Sequence, residues 1–180
     1  MQSEKRLYKA SRFLSHVLRH NPQKANITLD SHGWAQTLHV LENCKLDITD
    51  LDWIISHDDK QRFSYNDDKS AVRANQGHSI KNLNIDYIAI KPPDILFHGT
   101  SKTTIPIILQ EGIKSMTRAF VHLSSNFDTA LNVGKRKGDA VVLKINAKQM
   151  YLDGYIIYIS ANNVHLTDHV PKQYILHPID

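Results

Sequence analysis

Two adjacent prolines, Pro92 and Pro93 in the stretch IAIKPPDIL, interrupt the chain near its middle. Neither can donate a backbone hydrogen bond, and a proline disfavours helix in the residue before it. No regular element is expected to run across them. The texture of the sequence also changes there: helix-spaced apolar residues dominate before the break, and short alternating runs follow it. The pattern predicts an α+β chain of two domains, 1–91 and 92–180, and 180 residues are enough to give both a core.

In the first half, Leu7, Ala10, Leu14, Val17 and Leu18 recur at helical spacing. Pro22 disfavours helix at Asn21, so this helix should stop near His20. ITLDSHGW reads as a short strand and then a turn over Asp30–Gly33. WAQTLHVLENC resumes helical periodicity. LDITDLDWIISHD predicts a further helix with Thr49 as its N-cap. KQRFSY, NDDKS and AVRANQ read as strand, turn and strand. Helices followed by a β-hairpin is the order of a winged-helix module, a pattern that says little about function by itself. In the second half ILFHGT, FVHLSS, AVVLKINA, YIIYIS and NVHLTD are strand-like, and TTIPIILQEG and NFDTALNVG are helical. A compact, sheet-rich α+β domain is expected there.

Composition narrows the function classes. Hydrophobic residues are 41% and charged residues 22%, as in soluble globular proteins. No apolar run approaches the ~20 residues of a membrane span, and MQSEKRLYKA lacks a signal-peptide core. The single cysteine, Cys44, cannot form an internal disulfide. A cytoplasmic protein without a membrane partner is expected. The net charge of +4 and pI near 9.1 favour an anionic partner. His16 and His20 are four apart on one helical face. The zincin pattern needs Glu after the first His and here has Val17, so no metal is expected.

Several cations stand in unusual places. Arg19 and His20 close the first helix, where they either decorate the negative end of its dipole or fan out toward an anion. In AVRANQGHS, Val72 and Ala74 share one strand face and Arg73 points to the other. That places Arg73 on the solvent side of a hairpin, ahead of a glycine and polar donors suited to a backbone that approaches a ligand. VGKRKG sets Lys135, Arg136 and Lys137 between glycines. It lacks P-loop spacing, and it is either a solvated basic turn or a loop offering Arg136 to a phosphate. In LFHGT and VHLSS a histidine alternates with apolar residues, so His98, Thr100, His122 and Ser124 could line one polar crevice. There is no GxSxG elbow and no GxGxxG fingerprint.

In order along the chain, these stretches resemble the RNA 2′-phosphotransferases, also called tRNA 2′-phosphotransferases. The resemblance lies in SRFLSHVLRHNP, LDSHGW, KQRFSY, VRANQGHS, PPDILFHGT, VHLSSNFDTA and VGKRKGDAVVL, with GYIIYISANNVHLTD as the tail. It implies a winged-helix-like N-terminal lobe that helps hold RNA and an ADP-ribosyltransferase-like C-terminal lobe that binds NAD⁺. The implied reaction removes an internal 2′-monophosphate from RNA. The RNA phosphate attacks C1″ of the nicotinamide ribose and displaces nicotinamide, giving an RNA-2′-phospho-ADP-ribose intermediate. The 2″-hydroxyl then attacks phosphorus, freeing the RNA 2′-hydroxyl and ADP-ribose 1″,2″-cyclic phosphate.

The resemblance also implies roles. The essential Arg-His-Arg-Arg set falls on Arg19, His20, Arg73 and Arg136. His98, Gly99 and Thr100 fall in the NAD⁺ crevice, His122 and Ser124 come from VHLS, and Arg118 matches a basic position. NAD⁺ is consumed as co-substrate, no metal is needed, and a monomer acting on RNA that carries a 2′-phosphate is expected. Two positions depart from the pattern: Lys137 stands where histidine is common, and Ala119 is smaller than the usual residue. Lys137 is therefore expected to have no catalytic role, and Ala119 to loosen the rim of the NAD⁺ site. Two other activities suit the same halves. One is ADP-ribosyl transfer to nucleic-acid terminal phosphates, which stops at the first step. The other is a non-enzymatic winged-helix regulator with an NAD-sensing lobe.

Overall fold

The computed structural model describes residues 2–80 and 82–179. The chain divides into two compact units, 1–86 and 87–180, in a mixed α+β architecture. Among the described residues no helix is long and apolar enough to cross a membrane.

The first unit begins with α1 (Gln2–Arg19). Its apolar stripe buries Leu7, Leu14, Val17 and Leu18, the last three with no exposed surface. The helix ends where Pro22 requires it to, and Pro22–Ala25 form one 3₁₀ turn. Asn21 caps that turn by accepting from the Lys24 amide at 3.2 Å. The strand expected in ITLDSHGW does not form before Trp34. The Ile27 amide donates to the Pro22 carbonyl at 3.0 Å, and Ile27 is only 1% exposed, so this segment serves as a closing turn. The turn at Asp30–Gly33 is present. Asp30 Oδ1 accepts from the amides of His32 (2.8 Å) and Trp34 (2.9 Å), and Gly33 has φ +80°.

Trp34 begins β1 (Trp34–Gln36) rather than the expected helix, and α2 (Thr37–Cys44) starts three residues later. The ladder to the hairpin decides this. Helix α3 (Ile48–Ser56) leads to β2 (Phe63–Tyr65) and β3 (Ala71–Ala74), and the sheet order is β1-β3-β2. Trp34, Ala35 and Gln36 pair with Arg73, Val72 and Ala71. The Thr37 hydroxyl then donates to the Lys69 carbonyl at 2.7 Å, fixing the helix start. The N-cap of α3 is Asp47, not Thr49. Asp47 accepts from the Asp50 amide while Asp50 accepts from the Asp47 amide, a reciprocal capping box. Thr49 instead donates its hydroxyl to Asp47 at 2.6 Å.

The second unit opens with β4 (Ile88–Ala89) and β5 (Ile95–Ser101). Helix α4 (Ile105–Glu111), β6 (Ile113–Lys114), β7 (Val121–Leu123) and α5 (Phe127–Gly134) follow. The chain continues through β8 (Ala140–Asn146), α6 (Ala147–Leu152), β9 (Tyr158–Ile159), β10 (His165–Thr167), β11 (His169–Val170) and β12 (Ile175–Ile179). Sheet orders are β12-β8-β5 and β4-β9-β10-β7, with β11-β6 a separate pair. Phe97 and Ser124 form a bridge that links β5 to the end of β7. Ile88 and Ala89, placed in the first domain by the sequence, pair with β9 and so belong with the second unit. Of YIIYIS only Tyr158 and Ile159 are strand; Ile157 is fully buried in the core of this unit instead.

Helix α5 has Asn126 as N-cap, accepting from the Thr129 amide at 2.8 Å. Asn126→Ala is expected to cost ~1 kcal/mol, read as a lowered urea midpoint. An unchanged midpoint would mean that α5 is held by packing alone.

Candidate functional site

The end of α1 is built against the segment that leaves the hairpin. After β3 the chain runs Asn75, Gln76, Gly77, His78, Ser79 back over the last turn of α1. The Ser79 amide donates to the Arg19 carbonyl at 3.0 Å, satisfying an acceptor that a helix end leaves open. His20 Nδ1 lies 2.9 Å from the Ser79 hydroxyl. Gly77 has φ +89°, and a Cβ there would lie 3.7–3.8 Å from the Arg19 side chain. Glycine permits the turn that lays this backbone on the guanidinium.

Arg73 takes the outer face of the sheet, as Val72 and Ala74 fill the inner one with no exposed surface. Its guanidinium stacks on Trp34, 4.3 Å from the ring centroid, directly across the β1–β3 ladder. Stacking of this kind stabilises the cation and fixes the plane of its fork. Arg73 Nε is buried and unbonded, and no carboxylate pairs with Arg73 among the described residues.

His78 is the residue of this site that sequence reasoning missed. It is 4% exposed, and neither ring nitrogen has a hydrogen-bond partner among the described residues. Burial pushes its pKa down to about 4, and the charges of Arg19, His20 and Arg73 push in the same direction. The ring therefore stands neutral among three cationic or protonatable groups. Cations gathered around a neutral ring present positive charge and N–H donors, a set chemically suited to an anion with several oxygens. The glycine and polar residues of NQGHS were the available signal, but burial of the histidine depends on the fold.

In the second unit His98 and His122 are neighbours. His98 Nδ1–H donates to the His122 carbonyl at 3.0 Å, which leaves Nε2 as the acceptor of a neutral ring. Burial is the main cause that takes His98 down to about 4; the His122 carbonyl opposes it, and Lys137 and Arg118 add to it. His122 Nδ1 lies 3.1 Å from the Phe120 carbonyl and 3.5 Å from the Arg118 guanidinium. The Lys137 pKa is lowered by burial first and then by Arg118. Lys137 thus belongs electrostatically with Arg118 and His98, a placement that its position in GKRKG did not disclose. Arg136 precedes it in a 3₁₀ turn over Lys135–Lys137.

The remaining positions are engaged locally. Thr100 is 2% exposed and its hydroxyl lies 2.7 Å from that of Thr104. The Ser124 hydroxyl donates to the Asn126 carbonyl (2.9 Å) and accepts from the Asn126 amide (3.0 Å), shaping the entry to α5. Gly99 lies directly under α5: a Cβ would come within 1.7 Å of the Ala130 carbonyl oxygen. Ala119 is exposed, one residue before Phe120, which packs edge-on against Tyr87 and Tyr158.

His78 and the half-buried His98 give a pH dependence with a definite sign. Their folded values of about 4 lie below the ordinary 6.5. Between these values the unfolded chain binds more protons. The stability they contribute is complete above pH 6.5 and is lost as pH falls toward 4. One ring shifted that far accounts for about 3 kcal/mol. Urea midpoints taken from pH 7 down to 4.5 are expected to fall, and His98→Asn to flatten the slope. An equal slope in wild type and His98→Asn would show that His98 does not carry it.

The family model described as RNA 2'-phosphotransferase, Tpt1 / KptA family, matches residues 5–169, across both units. The chain belongs to the RNA 2′-phosphotransferase family. A probable RNA 2'-phosphotransferase of Flavobacterium johnsoniae is 44% identical over 170 residues, 92% of this chain and 93% of that protein. One of Fusobacterium nucleatum is 42% identical over 173 residues, covering 93% and 96%. One of Rhodopirellula baltica is 38% identical over 183 residues, covering 99% and 100%. The match to the RNA 2′-phosphotransferases is thus a match of whole chains, and it includes every site residue described above.

Proposed function

We propose that this chain removes an internal 2′-monophosphate from RNA, as in tRNA splicing, with NAD⁺ as consumed co-substrate. The first unit is read as a winged-helix-like lobe that holds RNA, and the second as an ADP-ribosyltransferase-like lobe that holds NAD⁺. The observation that carries this reading is the Arg19, His20 and Arg73 group around neutral His78, in a chain that belongs throughout to an RNA 2′-phosphotransferase family.

A phosphomonoester carries about −1.5 to −2 charges near neutrality, and arginine forks match its oxygens in pairs. Arg19 and Arg73 orient the dianion; Arg136 is the remaining arginine of the set that the resemblance implies. Because the dianion is already a nucleophile, alignment supplies much of the acceleration in the attack on C1″. The arginines then stabilise charge on the phosphoryl oxygens as the 2″-hydroxyl attacks and the RNA 2′-oxygen leaves. His20, whose Nδ1 lies 2.9 Å from the Ser79 hydroxyl, is the group this reading assigns to give that oxygen its proton.

In the second unit Arg118, Lys137, His98 and His122 form a cationic and hydrogen-bonding group suited to the diphosphate and ribose of NAD⁺. Neutral His98, fixed by the His122 carbonyl, can accept from a ribose hydroxyl through Nε2. Gly99 and Thr100 keep β5 and α5 in register beneath it, and Ser124 shapes the adjoining turn. Monomeric, metal-independent and cytoplasmic action belongs to the same reading.

The test is a short RNA with one internal 2′-phosphate, incubated with and without NAD⁺ and with no added metal. Loss of the phosphate from the RNA, with ADP-ribose 1″,2″-cyclic phosphate formed only with NAD⁺, is the expected result. Accumulation of ADP-ribosylated RNA would limit the activity to the first step. Unchanged RNA with a folded protein would overturn the reading in favour of a regulator.

A further inference from the structure

A groove of about 450 Å³ lies in the first unit, between α1, the end of α3 and the loop that leads into β2. Tyr8, Arg12 and Ser15 line it from α1; Trp53 and His57 from α3; Lys60 and Arg62 from the loop. None of these residues belongs to the phosphate group described above. From it and the charge of α1, the geometry points to a binding track for the single-stranded RNA that flanks the 2′-phosphorylated nucleotide. This inference rests on the proposed function and extends it from the phosphate to the rest of the substrate.

Three observations carry it. The first is direction. Tyr8, Arg12, Ser15 and Arg19 are spaced four, three and four apart, so they fall on one face of α1. At 1.5 Å per residue, Arg12 is about 10 Å and Tyr8 about 16 Å along the axis from Arg19. The groove therefore continues the helix face that ends at the phosphate group. The opposite wall is tied to the same place: the Asn75 amide donates to the Arg62 carbonyl (2.8 Å) and Asn75 Nδ2 to the Gln61 carbonyl (2.6 Å). Asn75 stands two residues after Arg73 and two before Gly77.

The second observation is charge. Helix α1 carries Lys5, Arg6, Lys9, Arg12 and Arg19 against the single carboxylate Glu4, and of these Arg6 is paired with Asp50. Across the groove, Asp58 is buried and already committed, accepting from the Lys60 amide, the Arg62 amide and the Arg62 guanidinium. Asp59 is the other carboxylate of the lining. Arg12 from α1 and Lys60 from the loop both line the groove, and their positive charge suits a polyanion.

The third is the aromatic content. Trp53 and His57 stack with centroids 4.3 Å apart and planes 11° from parallel, and Tyr8 meets Trp53 edge-on at 5.4 Å. Tyr8 remains 58% exposed. Exposed aromatic rings between cations are the means by which proteins bind single strands without reading their sequence. A polar protein segment would use the charges but has no need of the exposed rings.

The experiment uses the full chain and two ligands: a single-stranded RNA of about ten nucleotides with one internal 2′-phosphate, and a dinucleotide with the same phosphate. Fluorescence anisotropy reads affinity, and phosphate release reads the ratio of kcat/KM for oligomer over dinucleotide. Arg12→Glu and Tyr8→Ala are each expected to weaken oligomer binding by roughly 5- to 100-fold and to lower that ratio. Arg12→Lys should recover most of the affinity. The slope of log affinity against log salt should fall by about 0.7 for each RNA phosphate that a variant no longer neutralises. Unchanged oligomer affinity in both variants, or wild-type protein that binds the dinucleotide as tightly as the oligomer, would overturn the inference. Weakened oligomer binding in the variants, with no phosphate release by wild type, would uphold the track and remove the proposed activity.

Discussion

Gly99→Ala is expected to unfold the second unit or leave it barely stable. A Cβ on residue 99 would stand 1.7 Å from the Ala130 carbonyl oxygen, 2.6 Å from its carbon and 2.9 Å from the Gly134 amide nitrogen. All three obstacles are backbone atoms of α5, so no rotamer change relieves them. Relief requires α5 to leave β5, and β5 pairs with β8 along its full seven residues. Overpacking a core ordinarily costs ~1–3 kcal/mol, and a rigid backbone clash belongs above that range, at about 3–5 kcal/mol. Against a total stability of roughly 5–15 kcal/mol the loss is severe. Gly134→Ala provides the graded control. Its nearest obstacles are the Thr100 carbonyl oxygen at 2.9 Å and the Ala140 Cβ at 3.1 Å, so it should cost less. Urea unfolding is the measurement, because activity would not separate packing from a direct role in the site. A Gly99→Ala midpoint equal to wild type would show that the helix and strand are further apart than described.

The second large effect is expected at Arg73. Arg73→Ala should lower the single-turnover rate of phosphate removal by about 100-fold, and Arg73→Lys by at least about 10-fold. Losing one charged hydrogen bond costs ~1.5–3 kcal/mol, which is that range of rates if the bond matters mainly in the transition state. Lysine keeps the charge but loses two features of the observed geometry. It has no planar fork, and it cannot stack on Trp34 as the guanidinium does at 4.3 Å. The side chain stands on the outer sheet face, so the fold should survive either change. An Arg73→Lys enzyme with the full single-turnover rate would end the bidentate role.

Much of this was legible in the chain. The spacing of Leu7, Leu14, Val17 and Leu18 and the position of Pro22 predict α1 and its end, because helix periodicity and proline stereochemistry are local. Alternation in AVRA sends Arg73 to the outer face for the same reason. Errors arose where partners distant in sequence decide. Trp34 begins a strand because β3 pairs with it, although the residues from Trp34 onward have helical spacing. The α3 cap is a local exception: Asp47 and Asp50, three residues apart, cap each other reciprocally, where Thr49 has no such partner.

By itself the sequence determined the identity of the charged groups, their order, the α+β character and, through resemblance, the family. These follow from side-chain chemistry and short-range periodicity, which survive without a fold. Only the tertiary structure decided that His78 is buried and neutral beside Arg19 and Arg73, and that Lys137 joins Arg118 and His98. It alone decided that Gly99 is required by α5. Each of these depends on desolvation or close approach between residues far apart in the chain, and neither exists until the elements are packed.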